Sequence, residues 1–145
     1  MLIDPKKPIV WRAALAASPD RVFGFLDTDA GRERFWAERS RAISPAQFEL
    51  TFAFGPVAVV EVLERLPPTL LRLRYFGADA ELRLQEDGAG TLLSVSCLCP
   101  DPGQWVEFHA GWVSWLLVLK ARIDHDVDLR NGRPDRGWDS RFVDQ

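Results

Sequence analysis

The sequence predicts an α+β domain in which a curved antiparallel sheet of about six to seven strands wraps around one long C-terminal helix, with two short helices after the first strand. Three observations carry this prediction. From Ile43 to Cys99 apolar and polar residues alternate in successive short segments separated by Gly, Pro and Asp, the period of strands with one buried face. From Trp105 the period becomes that of an amphipathic helix. Ahead of both lies a strand-like segment that ends on a helix-start signal.

Taken in order, Ile9 to Leu15 reads as the first strand. Ser18 can accept from the free amides of a following helix, Pro19 suits its first position, and Asp20 suits its positive end. A helix is therefore expected from about Pro19 to Thr28, with Val22, Phe23 and Leu26 on one face. Gly31 is expected to separate it from a shorter helical turn around "RERFW".

In "QFELTFAF", Phe48, Leu50, Phe52 and Phe54 share one face while Gln47, Glu49 and Thr51 take the other, and "GP" at 55–56 marks a turn. The next strand puts Ala58, Val60 and Val62 on one side and Glu61 and Arg65 on the other, until Pro67 and Pro68 stop it. Leu71, Leu73 and Tyr75 oppose Arg72 and Arg74; Leu82 and Leu84 oppose Glu81, Arg83 and Gln85, with the hairpin turning at Gly77 to Asp79. After "EDGAG", Leu93, Val95 and Cys97 complete the meander, which has one greasy face.

That face needs a cover, and only the last segment is long enough to supply it. A helix of about 25 residues from Trp105 to Leu129 would place Trp105, Phe108, Trp112, Trp115, Leu116, Leu119, Ile123 and Val127 on one stripe. A membrane span needs about 20 mostly apolar residues. The continuous apolar run here is only Leu116 to Leu119, so no membrane span is expected.

Composition excludes other classes. An apolar fraction of 47% and a charged fraction of 27% suit one globular domain over residues 1–145, and disfavour disorder. The net charge of −3 is spread along the chain without a basic stripe, so nucleic acid is not an expected partner. Arg32, Arg34, Arg39 and Arg41 are interrupted by Glu33 and Glu38 and read as a solvated helix face rather than an anion site. Cys97 and Cys99 read as buried thiols that lack the geometry for an easy mutual disulfide. No secretory apolar stretch opens the sequence, and a cytoplasmic location is expected.

The element order and four segments resemble the START-like (SRPBCC) superfamily with its helix-grip fold, and within it the homologues of the activator of the heat-shock protein 90 ATPase. The segments are "ASPDRVFGFL" (Ala17 to Leu26), "FW" (Phe35 and Trp36), "VLERLPPTLLRLRY" (Val62 to Tyr75) and "GWVSWLLVLK" (Gly111 to Lys120). The tail is similar to an ending found in part of that family, through Trp138, Phe142, Val143 and Asp144. Residues 129–145 would then pack on their own domain or on the partner subunit of a homodimer. The resemblance implies a cavity between sheet and long helix that holds a hydrophobic small molecule. It does not carry chaperone activation with it, because that activity belongs to a branch with an additional domain.

Ligand-contacting residues expected on this basis are Trp36, Phe52, Phe54, Leu73, Tyr75, Trp112, Trp115, Leu116 and Leu119, with the alternative that these aromatics fill the core themselves. A binding domain is favoured over an enzyme. An aromatase/cyclase-like enzyme would have to use His109 or Tyr75, and a chaperone ATPase activator-like interaction module is the third reading. His125 is expected on the wet side of the helix, and Ser94 and Ser96 have no base beside them. In "DHDVD", Asp124 and Asp128 share a helix face from which His125 and Asp126 diverge, so no metal is expected, and no cofactor. Glu61 is expected on the outer face, paired with Arg72 or Arg74.

Overall fold

The computed structural model describes residue 4 and residues 6–52 and 57–130. The expectations for Phe54, the turn at 55–56 and the tail residues Trp138, Phe142, Val143 and Asp144 lie outside the described residues. Strand β1 (Ile9–Leu15) leads into α1 (Pro19–Asp27) and α2 (Asp29–Glu33). Six strands follow: β2 (Arg39–Ser44), β3 (Gln47–Thr51), β4 (Ala58–Leu66), β5 (Leu70–Tyr75), β6 (Ala78–Asp87) and β7 (Gly90–Cys97). A turn of 3-10 helix (Pro102–Gln104) then opens the long α3 (Trp105–His125).

All seven strands form one antiparallel sheet in the order β1-β7-β6-β5-β4-β3-β2. The chain thus starts at one edge, crosses to the far edge through α1 and α2, and meanders back. The inward side chains, among them Phe48, Leu50, Val60, Leu71, Leu73, Leu82, Leu93 and Val95, are 0–2% exposed and form one core with α1 and α3. This is the sheet-and-helix architecture that the periodicity predicts, and the helix-grip fold that the resemblance implies.

Ser18 caps α1, accepting from the Arg21 amide, and Val22, Phe23, Phe25 and Leu26 are buried. The second helix begins three residues earlier than predicted because Thr28 acts at both ends of the junction. Its hydroxyl donates to Gly24 O (2.6 Å) and accepts from Gly31 N (3.0 Å). Gly31 therefore lies inside α2 and is no separator. A Cβ there would sit 2.2 Å from Gly24 O, so only glycine lets the helices approach this closely.

Strand β2 was not predicted, and the arginine cluster is accordingly not one helix face. Arg32 lies on α2 and is 3% exposed, whereas Arg39 and Arg41 are exposed on β2. The strand is held by more than its neighbour. Its outward amides at Ser40 and Ala42 donate to Glu33 Oε2 and Asp29 Oδ2 (both 3.1 Å). At the opposite edge, just past β1, the Ala16 amide donates to Asp124 Oδ1 (2.8 Å) and Lys120 Nζ reaches Ala14 O.

Three further details depart from expectation. The β5–β6 hairpin turns on Phe76 and Gly77 alone, both at positive φ (50° and 75°), which leaves Asp79 in β6 opposite Arg74. In β4 a bulge at Leu63 shifts the register between Val62 and Glu64. Glu61 stays outside and pairs with Arg74 (3.4 Å), but Arg65 is carried to the other face, where it bonds Asp27 (2.6 Å). Helix α3 ends four residues early because Asp126 adopts a left-handed conformation (φ 52°) and returns its amide to Ala121 O and Arg122 O. Val127, placed on the helix stripe by sequence, is consequently 48% exposed.

Candidate functional site

Where α3 crosses the sheet, aromatic side chains from four regions meet. Trp36 follows α2 in a tight turn, with the amides of Phe35, Trp36 and Ala37 all donating to Arg32 O (3.3, 2.7 and 3.3 Å). The Arg130 guanidinium, 1% exposed, closes this turn from the segment after α3, donating to Glu33 O (3.1 Å) and Ala37 O (3.3 Å) while Asp128 neutralises it. Thus both neighbouring segments fix the position of Trp36.

The Trp36 ring meets Tyr75 (5.4 Å), Trp115 (5.3 Å) and Phe48 (5.9 Å) edge-on, the arrangement that aromatic quadrupoles favour. Trp112 and Trp115, three residues apart on α3, touch at 5.2 Å, and Trp112 also approaches Tyr75 (6.2 Å) and Trp11 (6.3 Å). Phe35 adds a face against Trp115 (5.2 Å). Leu73, Leu116 and Leu119 are buried in the same core, and Phe52, Tyr75, Phe108 and Val113 pack against that core while partly exposed.

Polar atoms in the layer are few. Trp36 Nε1 donates to Tyr75 Oη (3.3 Å), and Trp11 Nε1 donates to His109 Nδ1 (3.1 Å). Trp105 stacks flat on His109 (5.0 Å, 9°). Burial pushes the Tyr75 phenol up to about 12, with the Trp36 hydrogen bond opposing it only in part. Burial likewise pushes the Cys97 thiol up to about 12, so it is an inert core group. Trp115 Nε1 is buried without a hydrogen-bond partner.

Of the residues singled out by sequence, Trp36, Tyr75, Trp112 and Trp115 are joined by ring contacts, Leu73, Leu116 and Leu119 are buried in the same core, and Phe52 packs against that core while partly exposed. His109 is a turn away, held between Trp105 and Trp11. Trp11, Phe35 and Phe48 belong to the same layer but were not named as site residues. The inward phase of β1, shared by Trp11, Ala13 and Leu15, was the available signal for the first.

The "DHDVD" residues are engaged elsewhere. Asp124 holds Ala16 N and Lys120 (2.7 Å), Asp126 pairs with Arg34 (3.2 Å) and Arg122 (3.4 Å), and His125 is exposed. Among the described residues no group of three His, Cys, Asp or Glu side chains could hold a metal ion. Nor is any described helix long and apolar enough to cross a membrane.

No family model matches the chain, and no curated protein matches its sequence. Solved structures do match. The Aha1 dimer from Colwellia psychrerythraea superposes with a TM-score of 0.72 at 17% identity, over 81% of this chain and 96% of that one. The AHSA1-like protein from Aeromonas hydrophila gives 0.70 at 15% identity, over 81% and 96%. CalU16 from Micromonospora echinospora gives 0.69 at 23% identity, over 89% and 81%. The chain therefore has the helix-grip fold of these AHSA1-like structures.

Proposed function

We propose that this chain binds a hydrophobic small molecule between the sheet and α3, against Trp36, Phe52, Tyr75, Trp112 and Trp115. The observation that carries the reading is the aromatic layer itself, in which Tyr75 is only partly covered, as are Phe52, Phe108 and Val113 against the same core. Rigid apolar walls with a few polar tips are the composition of ligand sites, and this fold places them beneath its long helix. Phe54 and the cavity expected from the family resemblance belong to the same proposal, as does a cytoplasmic location.

The test is a screen of apolar compounds read by melting temperature and tryptophan fluorescence. Binding should raise the midpoint and quench emission in the wild-type chain, and Trp112→Ala should weaken both responses. A panel that changes neither would sink the reading. The Colwellia structure is described as a dimer, and we carry a homodimer over to this chain as a second expectation. Light scattering of the eluting chain at the mass of one subunit would refute it.

A further inference from the structure

Two indole N–H groups in the layer end on polar side chains, and an indole nitrogen can only donate. Trp11 therefore requires a lone pair on His109 Nδ1, which places the proton of the neutral imidazole on Nε2. Trp36 likewise makes Tyr75 Oη an acceptor, so the hydroxyl proton is free to point elsewhere. Both rings are braced, His109 by Trp105 and Tyr75 by the edge of Trp36. Both are part-buried and both are linked to Trp112, Tyr75 directly at 6.2 Å and His109 through Trp11, whose ring lies 6.3 Å from that of Trp112. Trp115 Nε1 adds a third donor, buried without a partner on a ring whose centre lies 5.2–5.3 Å from those of Phe35, Trp36 and Trp112.

Apart from the second lone pair of Tyr75 Oη, the uncommitted polar capacity of the layer is thus made of donors. A cation does touch it, Arg32 at 3.7 Å from the Phe48 ring centre, but that guanidinium is already bonded to Asp29, Ser40 and the Leu26 carbonyl. An anion here would lose its water without gaining a counter-charge. The geometry points to an uncharged ligand whose carbonyl or ether oxygens accept from Tyr75 Oη and His109 Nε2 while its apolar body lies against Trp112. This inference rests on the ligand-binding reading above and names its chemistry.

Acetophenone, ethylbenzene and benzoate share one size and differ in the acceptor and the charge. Each is titrated into the full chain and followed through the indole N–H resonances. Acetophenone should bind about tenfold tighter than ethylbenzene, the effect of giving a buried donor its acceptor, and tighter than benzoate. In Tyr75→Phe the ratio of acetophenone to ethylbenzene affinity should shrink several-fold. Equal affinity for acetophenone and ethylbenzene in the wild-type chain, or a preference for benzoate, overturns the inference and leaves the ligand-binding reading standing. Binding of none of the three overturns both.

Discussion

Two clusters meet at Phe48 and treat polarity in opposite ways. On one side of its ring, Arg32 is wrapped by Asp29, Ser40, the Leu26 carbonyl and, at 3.8 Å, Asp27, which Arg65 also holds. On the other side, Trp36 opens onto a layer in which Trp115 Nε1 has no hydrogen-bond partner and Tyr75 and His109 each have a proton in hand. Buried charges persist only when surrounded by partners, and such closure is a structural device. Donors left over beside half-covered aromatics are what a ligand can use. The contrast sets the proposed ligand site on the tryptophan side against a structural cluster on the arginine side.

The largest effect expected from breaking this contrast is at Arg32. Arg32→Ala strands the carboxylates and Ser40 and uncovers Phe48, at a cost of about 3–5 kcal/mol by urea unfolding. A loss below about 1 kcal/mol would mean that the cluster is not structural. Gly31→Ala should follow at about 2 kcal/mol, since its Cβ meets Gly24 O and the α1–α2 junction must open. An unchanged denaturation midpoint would show that the junction yields freely.

The two sides also titrate at opposite margins. The Tyr75 phenol is raised in the fold, so its contribution is complete below the unfolded value near 10 and is lost as pH rises towards about 12. That loss is on the order of 1 kcal/mol by pH ~11, and Tyr75→Phe should remove it from the profile. Asp29 behaves inversely. Burial raises its carboxyl, but hydrogen bonds from Ser40, the Ala42 amide and Arg32 outweigh that and hold it below 3.8, so its stabilisation is present above 3.8 and fades as pH falls below it. A stability profile flat at both margins would remove this distinction between the sides.

Smaller still, Tyr75→Phe at neutral pH should cost about 1 kcal/mol because Trp36 Nε1 loses its acceptor. The smallest effect expected is for Asp124→Asn, about 0.5 kcal/mol, through weaker bonds to Ala16 N and Lys120. Thermal melts resolve both, and a cost at Asp124 larger than at Tyr75 would reverse the ranking.

What could be read from sequence follows from what each element depends on. Strand β1, the capped start of α1 and the alternation of β3 through β7 depend on neighbours in the chain, and each was legible. Strand β2 was not, because "RSRAIS" buries only Ser40 and is held by carboxylates of α2 rather than by an apolar face. The flip of Arg65 towards Asp27 rests on a bulge that no residue type at Leu63 announces. At the site, the tryptophans and Tyr75 were legible as bulk. The pairing of Trp36 with Tyr75, 39 residues apart, and of Trp11 with His109, 98 apart, was not, because both are products of the assembled tertiary structure.

The carboxylates at the sheet's two margins carry a consequence for how such molecules meet. Glu33, Asp29 and Asp124 occupy the amides of Ser40, Ala42 and Ala16, where an incoming strand would take hold. Along β2, and just past the end of β1, a neighbour extending the ladder would first have to displace charge-assisted bonds, which blunts these places as templates for aggregation. Crowded copies of this chain would meet through their side-chain surfaces, face to face, with each sheet ending where its own helices finish it.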